Sequence, residues 1–447
     1  MDKRVKNRHI FTTKELIKEI KKSRDETVVL CGASSRAKYL IKSSNLYSHI
    51  DFVLDNYSDK KEFENIPIIR FEKLSEIENK LFIFCGMRQV DFFEQLKSIK
   101  NSKYIFEFNR NGSLPLFFEK DFFFEVEVPN FQSGFGIENR NIFATKLINS
   151  LLFFNQKITT TPISPSNDQF LKKRIAKPNS MLFSYHGIGE KSPRKVHYKE
   201  GYFFDLISFD QMGYGGWSSL CIDVKELENI KNISIKKAEK DFLYYKKKYI
   251  DKNLSKYAQP EIENIKLPKK FVFIPLQIFT DSVMQKSYFD PMFWFKQIVS
   301  ILTDQDIDIV IKRHPRCDIE DVENELDRLK TQSNITIYDG SIHKAIEKCD
   351  AVYTINSGVG FESLFHLKPV VTFGAVDYQS ATLNIKDFKD LENNIIPVLS
   401  ENKINYIKQF LSYSIKEKNI NISSNKSIDN LVDTIVINNI KTTLEKI

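Results

Sequence analysis

Four groups of residues have types and spacing that could do chemistry. Asp281 follows the apolar run FVFIPLQ at 271–277, which ends in Gln277. A carboxylate just past a buried strand can act as a base or as a nucleophile at an anomeric carbon, and it also suits the N-cap of the next segment. His314 precedes Pro315 and stands beside Lys312 and Arg313 at the end of DIDIVIK (306–312). Proline fixes the backbone there, so the imidazole is aimed and could hold a nucleotide phosphate or protonate a leaving group. Asn356, Ser357 and Gly358 open a helical stretch, FESLFHL, whose first N–H groups and positive end would attract a phosphate. Glu362, one turn in, could accept hydrogen bonds from a ribose or sugar hydroxyl, while a plain N-cap serine with a solvated glutamate is the ordinary alternative. The fourth group is His186 with Tyr214, Gly215, Gly216, Trp217 and Ser218. Glycines beside aromatic rings let a sugar stack closely, giving an acceptor or sugar platform, or else a turn packed around a tryptophan.

The elements that must position these residues follow from hydrophobic patterning. FVFIPLQ, DIDIVIK, ITIYDG (335–340), DAVYTIN (350–356) and PVVTFG (369–374) are apolar, β-branched runs separated by helical segments. That alternation predicts a parallel, doubly wound sheet over 261–385, with ligands expected beyond the carboxyl ends of its strands. Upstream, TVVLC (27–31), HIDFVLDN (49–56), KLFIFCG (80–86) and KYIFEF (103–108) alternate with AKYLIKSS and VDFFEQLKSI, predicting a small Rossmann-like domain over 1–110. Only Gly32 of a G-x-G-x-x-G turn is present, so dinucleotide binding is not expected, and Asp55 reads as a turn former or a ribose contact. From about 111 to 180 the sequence reads as irregular, a linker or surface loop leading into the first half of a larger unit that runs over 111–260. The stretch 386–447 reads as helices packing back across the halves.

Composition narrows the classes. With 42% hydrophobic and 13% aromatic residues the chain is a folded globular protein, and its 447 residues call for two or three domains. No run approaches the roughly 20 uncharged apolar residues of a membrane-spanning helix, and the N-terminus lacks the apolar centre of a secretion signal, so a cytoplasmic place is expected. Five scattered cysteines form no C-x-x-C pair, which argues against a disulfide framework or zinc site, and no other metal motif appears. The net charge of +8 suits anionic partners such as nucleotide phosphates or a lipid surface without choosing among them, and equally suits solvated lysine-rich faces.

The run from FVFIPLQIFTD through IKRHP to TINSGVGFESLFHLKPVVTFGAVDY resembles the capsule polysaccharide biosynthesis family, which includes Kdo transferases of capsule linkers. Gln277, Asp281, His314, Pro315, Ser357 and Glu362 match its Q-x-x-x-D segment, its H-P dipeptide and its serine turn before a glutamate-bearing helix, in order. FDQMGYGGWSSL (209–220) resembles its Gly-Tyr-x-Gly-Trp-Ser segment, so the resemblance covers roughly 180–385. It implies an α/β fold with a GT-B-like pair of Rossmann-type halves, to which this chain adds the small N-terminal domain. It also implies a CMP-sugar donor, with no further cofactor and no metal.

By the same resemblance, Asp281, His314 and Gln277 form the catalytic set, and Asp281 is the nucleophile or base of a retaining Kdo transfer. Lys312, His314, Pro315, Asn356, Ser357, Gly358 and Glu362 hold the donor. The expected function is transfer of Kdo or a related sugar to a glycan or lipid-linked acceptor in capsule or other surface-polysaccharide synthesis. The partners would be that donor and acceptor, with a peripheral place at the inner face of the cytoplasmic membrane or on a polysaccharide export complex, and no nucleic acid. A UDP- or GDP-sugar transferase and a non-catalytic assembly scaffold stand as alternatives.

Overall fold

The computed structural model describes residues 7–10, 13–84, 92, 95–96, 99, 102–107, 123–129, 137–152, 157–163, 172–177, 180–192, 194–260, 266–392, 394–424 and 428–432. Three mainly parallel sheets, each with packed helices, make the fold α/β throughout.

The first sheet contains β1 (Asn7–Ile10), β2 (Thr27–Cys31), β3 (Phe52–Leu54), β4 (Glu62–Phe63), β5 (Ile66–Ile69), β6 (Lys80–Phe84) and β7 (Ser102–Glu107), in the order β1-β7-β6-β2-β3-β5-β4. Every pairing is parallel except β4 with β5. Its central strands are apolar runs because both faces are covered, one around Leu16, Leu40 and Ile41, the other around Leu74, Phe84 and Tyr104. The helix expected over 90–99 falls largely outside the described residues.

The second sheet contains β8 (Phe123–Pro129), β9 (Lys157–Ile163), β10 (Ser180–Tyr185), β11 (Lys195–Glu200) and β12 (Leu206–Asp210). β8 to β11 pair in parallel, and β12 returns antiparallel. This corrects the expectation of an irregular stretch over 111–180, because β8, a helix at Ile137–Leu152 and β9 all lie within it. β9 is an exposed edge strand, and its run KITTTPI imitates a loop because four of its seven side chains in a row face water. Parts of that stretch, among them FQSGFG (131–136), lie outside the described residues.

The third sheet contains β13 (Val272–Pro275), β14 (Ile309–Lys312), β15 (Ile335–Ile337), β16 (Ala351–Thr354), β17 (Val370–Thr372) and β18 (Leu383–Asn384). All are parallel, in the order β15-β14-β13-β16-β17-β18. Chain direction across the sheet therefore reverses between β13 and β16, where such folds open a crevice. Trp294, Phe295, Leu302 and Leu326, from helices Pro291–Asp304 and Glu320–Leu329, cover one face. Ile230, Phe242, Phe361, Phe365 and Phe410 cover the other.

Two of those residues come from helices Val224–Lys231 and Ile235–Tyr245, so the boundary drawn at 260 falls inside one packed body. Helix Glu401–Glu417 packs on the same face, and β19 (Asn419–Asn421) then joins β12 in antiparallel pairing. The closing stretch thus carries a strand as well as helices. Residues 433–447 lie outside the described part. No helix among the described residues is long and apolar enough to cross a membrane.

Candidate active site

A cleft of about 400 Å³ runs between the ends of β11 and β12 in the second sheet and the carboxyl ends of β13, β14 and β16 in the third. Asp281, His314 and Ser357 all line it, as do Gln277, Lys312, Pro315, Asn356, Gly358 and Glu362 from one side and Tyr214, Gly215, Gly216 and Ser218 from the other.

Gln277 and Asn356 hold the crevice open at the point of reversal. The Gln277 Nε2 donates to Asn356 Oδ1 at 2.7 Å, and its Oε1 accepts from the Asn356 backbone N–H at 3.2 Å. Asn356 Nδ2 in turn donates to the carbonyl of Val283 at 2.8 Å, tying the loop after β13 to β16. Both side chains are buried. Gln277, expected in the catalytic set, has its amide committed on both atoms, so its part is to position the loop that carries Asp281.

Asp281 caps the short turn Ser282–Lys286, accepting at Oδ1 from Val283 N–H and Ser282 Oγ, both at 3.2 Å. Oδ2 is the oxygen left to meet a substrate. Burial raises the cost of its charge, but Lys199, the Val283 N–H and Ser282 outweigh that and hold the carboxyl below its ordinary range. It is therefore a carboxylate at neutral pH. Ser282 Oγ meets Tyr214 Oη at 3.0 Å, which fastens the two sides of the cleft next to Asp281. Lys199, from the end of β11, lies over the Tyr214 ring at 4.4 Å. His186 is buried behind this wall, its ring 4.9 Å from that of Tyr214, and does not line the cleft. Burial and then Lys199 push its pKa down to about 4, so it is a neutral prop for Tyr214 rather than a member of a sugar platform.

His314 extends from the end of β14 and packs edge-on against Tyr257, with ring centroids 5.2 Å apart. Its Nδ1 accepts the Arg316 backbone N–H at 3.1 Å, so the neutral ring carries its proton on Nε2 as a donor. Burial, then Arg316, depress its pKa to about 4 against the pull of Asp281. Lys256 and Arg316 line the cleft beside it. An anion placed here would meet a fixed N–H donor inside a cationic field, which is the chemistry of a phosphate site. Lys312 donates from Nζ to the carbonyls of Asp339 at 3.0 Å and Gly340 at 2.7 Å, fixing its charge at the end of β14. Arg313 lines the cleft as well, while its Nη1 donates to Glu323.

Ser357 caps the Gly358–Leu364 helix, its Oγ accepting from Val359 N–H at 3.3 Å. Glu362 is 2% exposed, and its Oε1 accepts from Ser255 Oγ at 2.9 Å. Burial, little relieved by Ser255 and Lys256, pushes its pKa up to about 8. It therefore stands as a neutral carboxylic acid at pH 7, and its burial rules out the solvated glutamate that the sequence left as the alternative. Across from it Tyr202 donates to Asp377, whose carboxyl burial raises to about 6.

The glycine-rich loop is organised by Asp210. Its Oδ1 accepts from the N–H groups of Met212 (2.7 Å), Gly213 (3.2 Å) and Ser219 (3.1 Å), while Ser218 Oγ donates to Oδ2 at 3.2 Å. Gly215 has φ of +53°, which favours glycine. At Gly216 a Cβ would lie 2.6 Å from the Ala375 carbonyl, so the missing side chain lets the two sides of the cleft approach. Trp217 stands outside the lining, under Lys286 at 5.0 Å. Sequence reasoning overlooked Asp210, Lys256, Tyr257 and Asp377. Only Asp210, followed by Q-M-G-Y-G-G-W-S-S, offered a signal, that of an acid whose oxygens a run of turn N–H groups and serines can share.

Residues 226–394 match the family described as capsule polysaccharide biosynthesis protein. No curated protein sequence matches the chain. Among solved structures, the beta Kdo 2,4 transferase of Thermosulfurimonas dismutans KpsC is 14% identical, with a TM-score of 0.40 over 70% of this chain and 98% of its own. The UDP-GlcNAc 2-epimerase from Methanocaldococcus jannaschii is 14% identical, with a TM-score of 0.24 over 92% of this chain and 99% of its own. The wall teichoic acid polymerase TagF is 11% identical, with a TM-score of 0.23 over 97% of this chain and 94% of its own.

Proposed function

We propose that this chain, whose residues 226–394 match the capsule polysaccharide biosynthesis family, is a glycosyltransferase of surface-polysaccharide assembly. Its donor is a CMP-activated sugar, Kdo or a related one, and its acceptor a glycan or lipid-linked glycan. The observation that carries the reading is the meeting of an ionised Asp281, an Nε2–H donor on His314 and the Ser357-capped turn in one cleft, at the reversal point of the third sheet. In this reading His314, Lys256 and Arg316 surround the donor phosphate. The bond between the anomeric carbon and the phosphate oxygen breaks, and the nucleotide leaves with the negative charge that this cationic field stabilises. Asp281 Oδ2 either adds to the anomeric carbon and is later displaced by the acceptor oxygen, whose proton passes to the nucleotide phosphate, or takes the acceptor hydroxyl proton as that oxygen attacks. Tyr214, Gly215 and Gly216, facing Asp281 from the second sheet, border the sugar.

Calorimetric titration with CMP, UMP and GMP tests the donor. CMP is expected to bind best, and His314→Ala should weaken it by about tenfold or more, the worth of one hydrogen bond to a charged group. Absence of binding by any cytidine nucleotide would sink the CMP reading, and a preference for UMP or GMP would move it to another donor. Mass spectrometry of products from CMP-Kdo and a glycolipid extract then identifies the transferred sugar.

A further inference from the structure

The Ile235–Tyr245 helix, sequence IKKAEKDFLYY, buries Ala238, Asp241 and Phe242 against the third sheet's helical face. Its other face is unusual for a surface helix. Lys236, Lys240 and Leu243 follow one another at spacings of four and three residues, which stacks them along a single stripe; Lys237 and Tyr244 flank it, and Lys247 follows in the next turn. All six are exposed, Leu243 at 55% and Tyr244 at 62%. Ile235 adds a further apolar group at the helix start, 46% exposed. The helix's own acids do not balance these lysines. Glu239 pairs with Lys408, and Asp241 is held by Lys416 at 2.5 Å and Ser412 at 2.6 Å.

We propose that this stripe is a docking surface for an anionic lipid bilayer. Ammonium groups on long stems interleaved with a leucine and a tyrosine fit the headgroup layer, where the lysines meet lipid phosphates while Leu243 and Tyr244 enter the boundary with the acyl chains. A protein partner fits less well, because protein interfaces are depleted of lysine at their centres. The position in the chain adds a reason for such an anchor. The helix continues through the turn Lys246–Ile250 into the segment whose Ser255, Lys256, Tyr257 and Gln259 line the cleft. Seating the helix on a bilayer brings that wall of the cleft toward the membrane, from which a lipid-linked acceptor would be delivered. That last link rests on the proposed transferase function, whereas membrane docking itself does not.

Flotation of the full chain with vesicles tests the surface without any turnover. Binding is expected to vesicles of phosphatidylglycerol mixed with phosphatidylcholine, with release on raising salt, and little binding to phosphatidylcholine alone. Lys236→Ala with Lys240→Ala should weaken binding about 25-fold, since each lysine near an anionic surface is worth about fivefold. Alanine favours helix at both positions, so a melting temperature near that of the parent separates lost docking from lost folding. Leu243→Asp should reduce binding further. The proposal is overturned if the parent ignores anionic vesicles, if it binds both vesicle types equally, or if the folded double variant binds like the parent. Capture of an acidic protein without vesicle binding would also overturn it. Vesicle binding without CMP binding would leave the docking surface standing and the CMP donor refuted.

Discussion

The first and third sheets share a strand order but use the acids near their reversal points differently. β5-β3-β2-β6-β7 and β15-β14-β13-β16-β17 are the same arrangement, each reversing between its first and fourth crossover strand. In the first sheet the acid at the neighbouring strand end, Asp55, spends both oxygens on the chain itself. Oδ2 accepts from Ala33 N–H at 3.1 Å, and Oδ1 from Tyr57 and Ser58 at 2.9 and 3.1 Å. In the third sheet Asp281 keeps Oδ2 for the cleft, and a second wall carrying Lys199 and Tyr214 stands opposite. Topology supplies a crevice in both places. Chemistry needs uncommitted polar atoms and something facing them.

Substitutions can break this contrast. The largest effect belongs to Asp281→Asn, which retains a capping side chain but removes the charge. Turnover should fall by about 10³-fold while nucleotide affinity stays within a few fold. Equal turnover would reduce Asp281 to a cap, making it the counterpart of Asp55. Gly216→Ala pushes a methyl group against the Ala375 carbonyl and should cost about 1–3 kcal/mol in a urea titration, with a raised KM for the sugar substrates. Asp55→Ala strands backbone N–H groups and should cost a similar or smaller amount, about 1–2 kcal/mol, with CMP binding untouched. A change in CMP affinity there would mean that the first sheet communicates with the cleft.

A further substitution sharpens the electrostatics. The pKa of Glu362 is near 8 in the folded chain against an ordinary 4.5. Between those values the unfolded chain releases a proton that the folded chain retains, so this group's contribution is fully present below pH 4.5 and is lost as pH rises toward 8. Glu362→Gln cannot titrate, so its melting temperature relative to the parent should rise between pH 5 and pH 8. A constant difference would show that the buried carboxyl is not the source.

The strands of the third sheet were legible because buried parallel strands leave long apolar, β-branched runs, and the residues at their ends followed at once. Less was legible where a residue's role depends on a distant partner. Nothing in Q-x-x-x-D tells that Gln277 is consumed by Asn356, and nothing in the helix pattern buries Glu362 behind Ser255. His186 and Trp217 have types that suit a sugar platform, but backing rather than facing the cleft is decided by packing. β9 and β19 escaped notice because an edge strand and a three-residue strand owe their form to pairing rather than to their own side chains.

The pairing of β19 with β12 governs the order in which the protein can be finished during synthesis. The second sheet begins to form from residues made early, but its last strand is supplied by a segment that leaves the ribosome only after the whole third sheet has been made. Until then β12 presents an open edge, and the wall of the cleft that it carries has no lateral support. A nascent chain stalled before residue 419 would thus hold a complete third sheet beside an unfinished second one, with the edge of β12 open to pairing with another chain until β19 arrives.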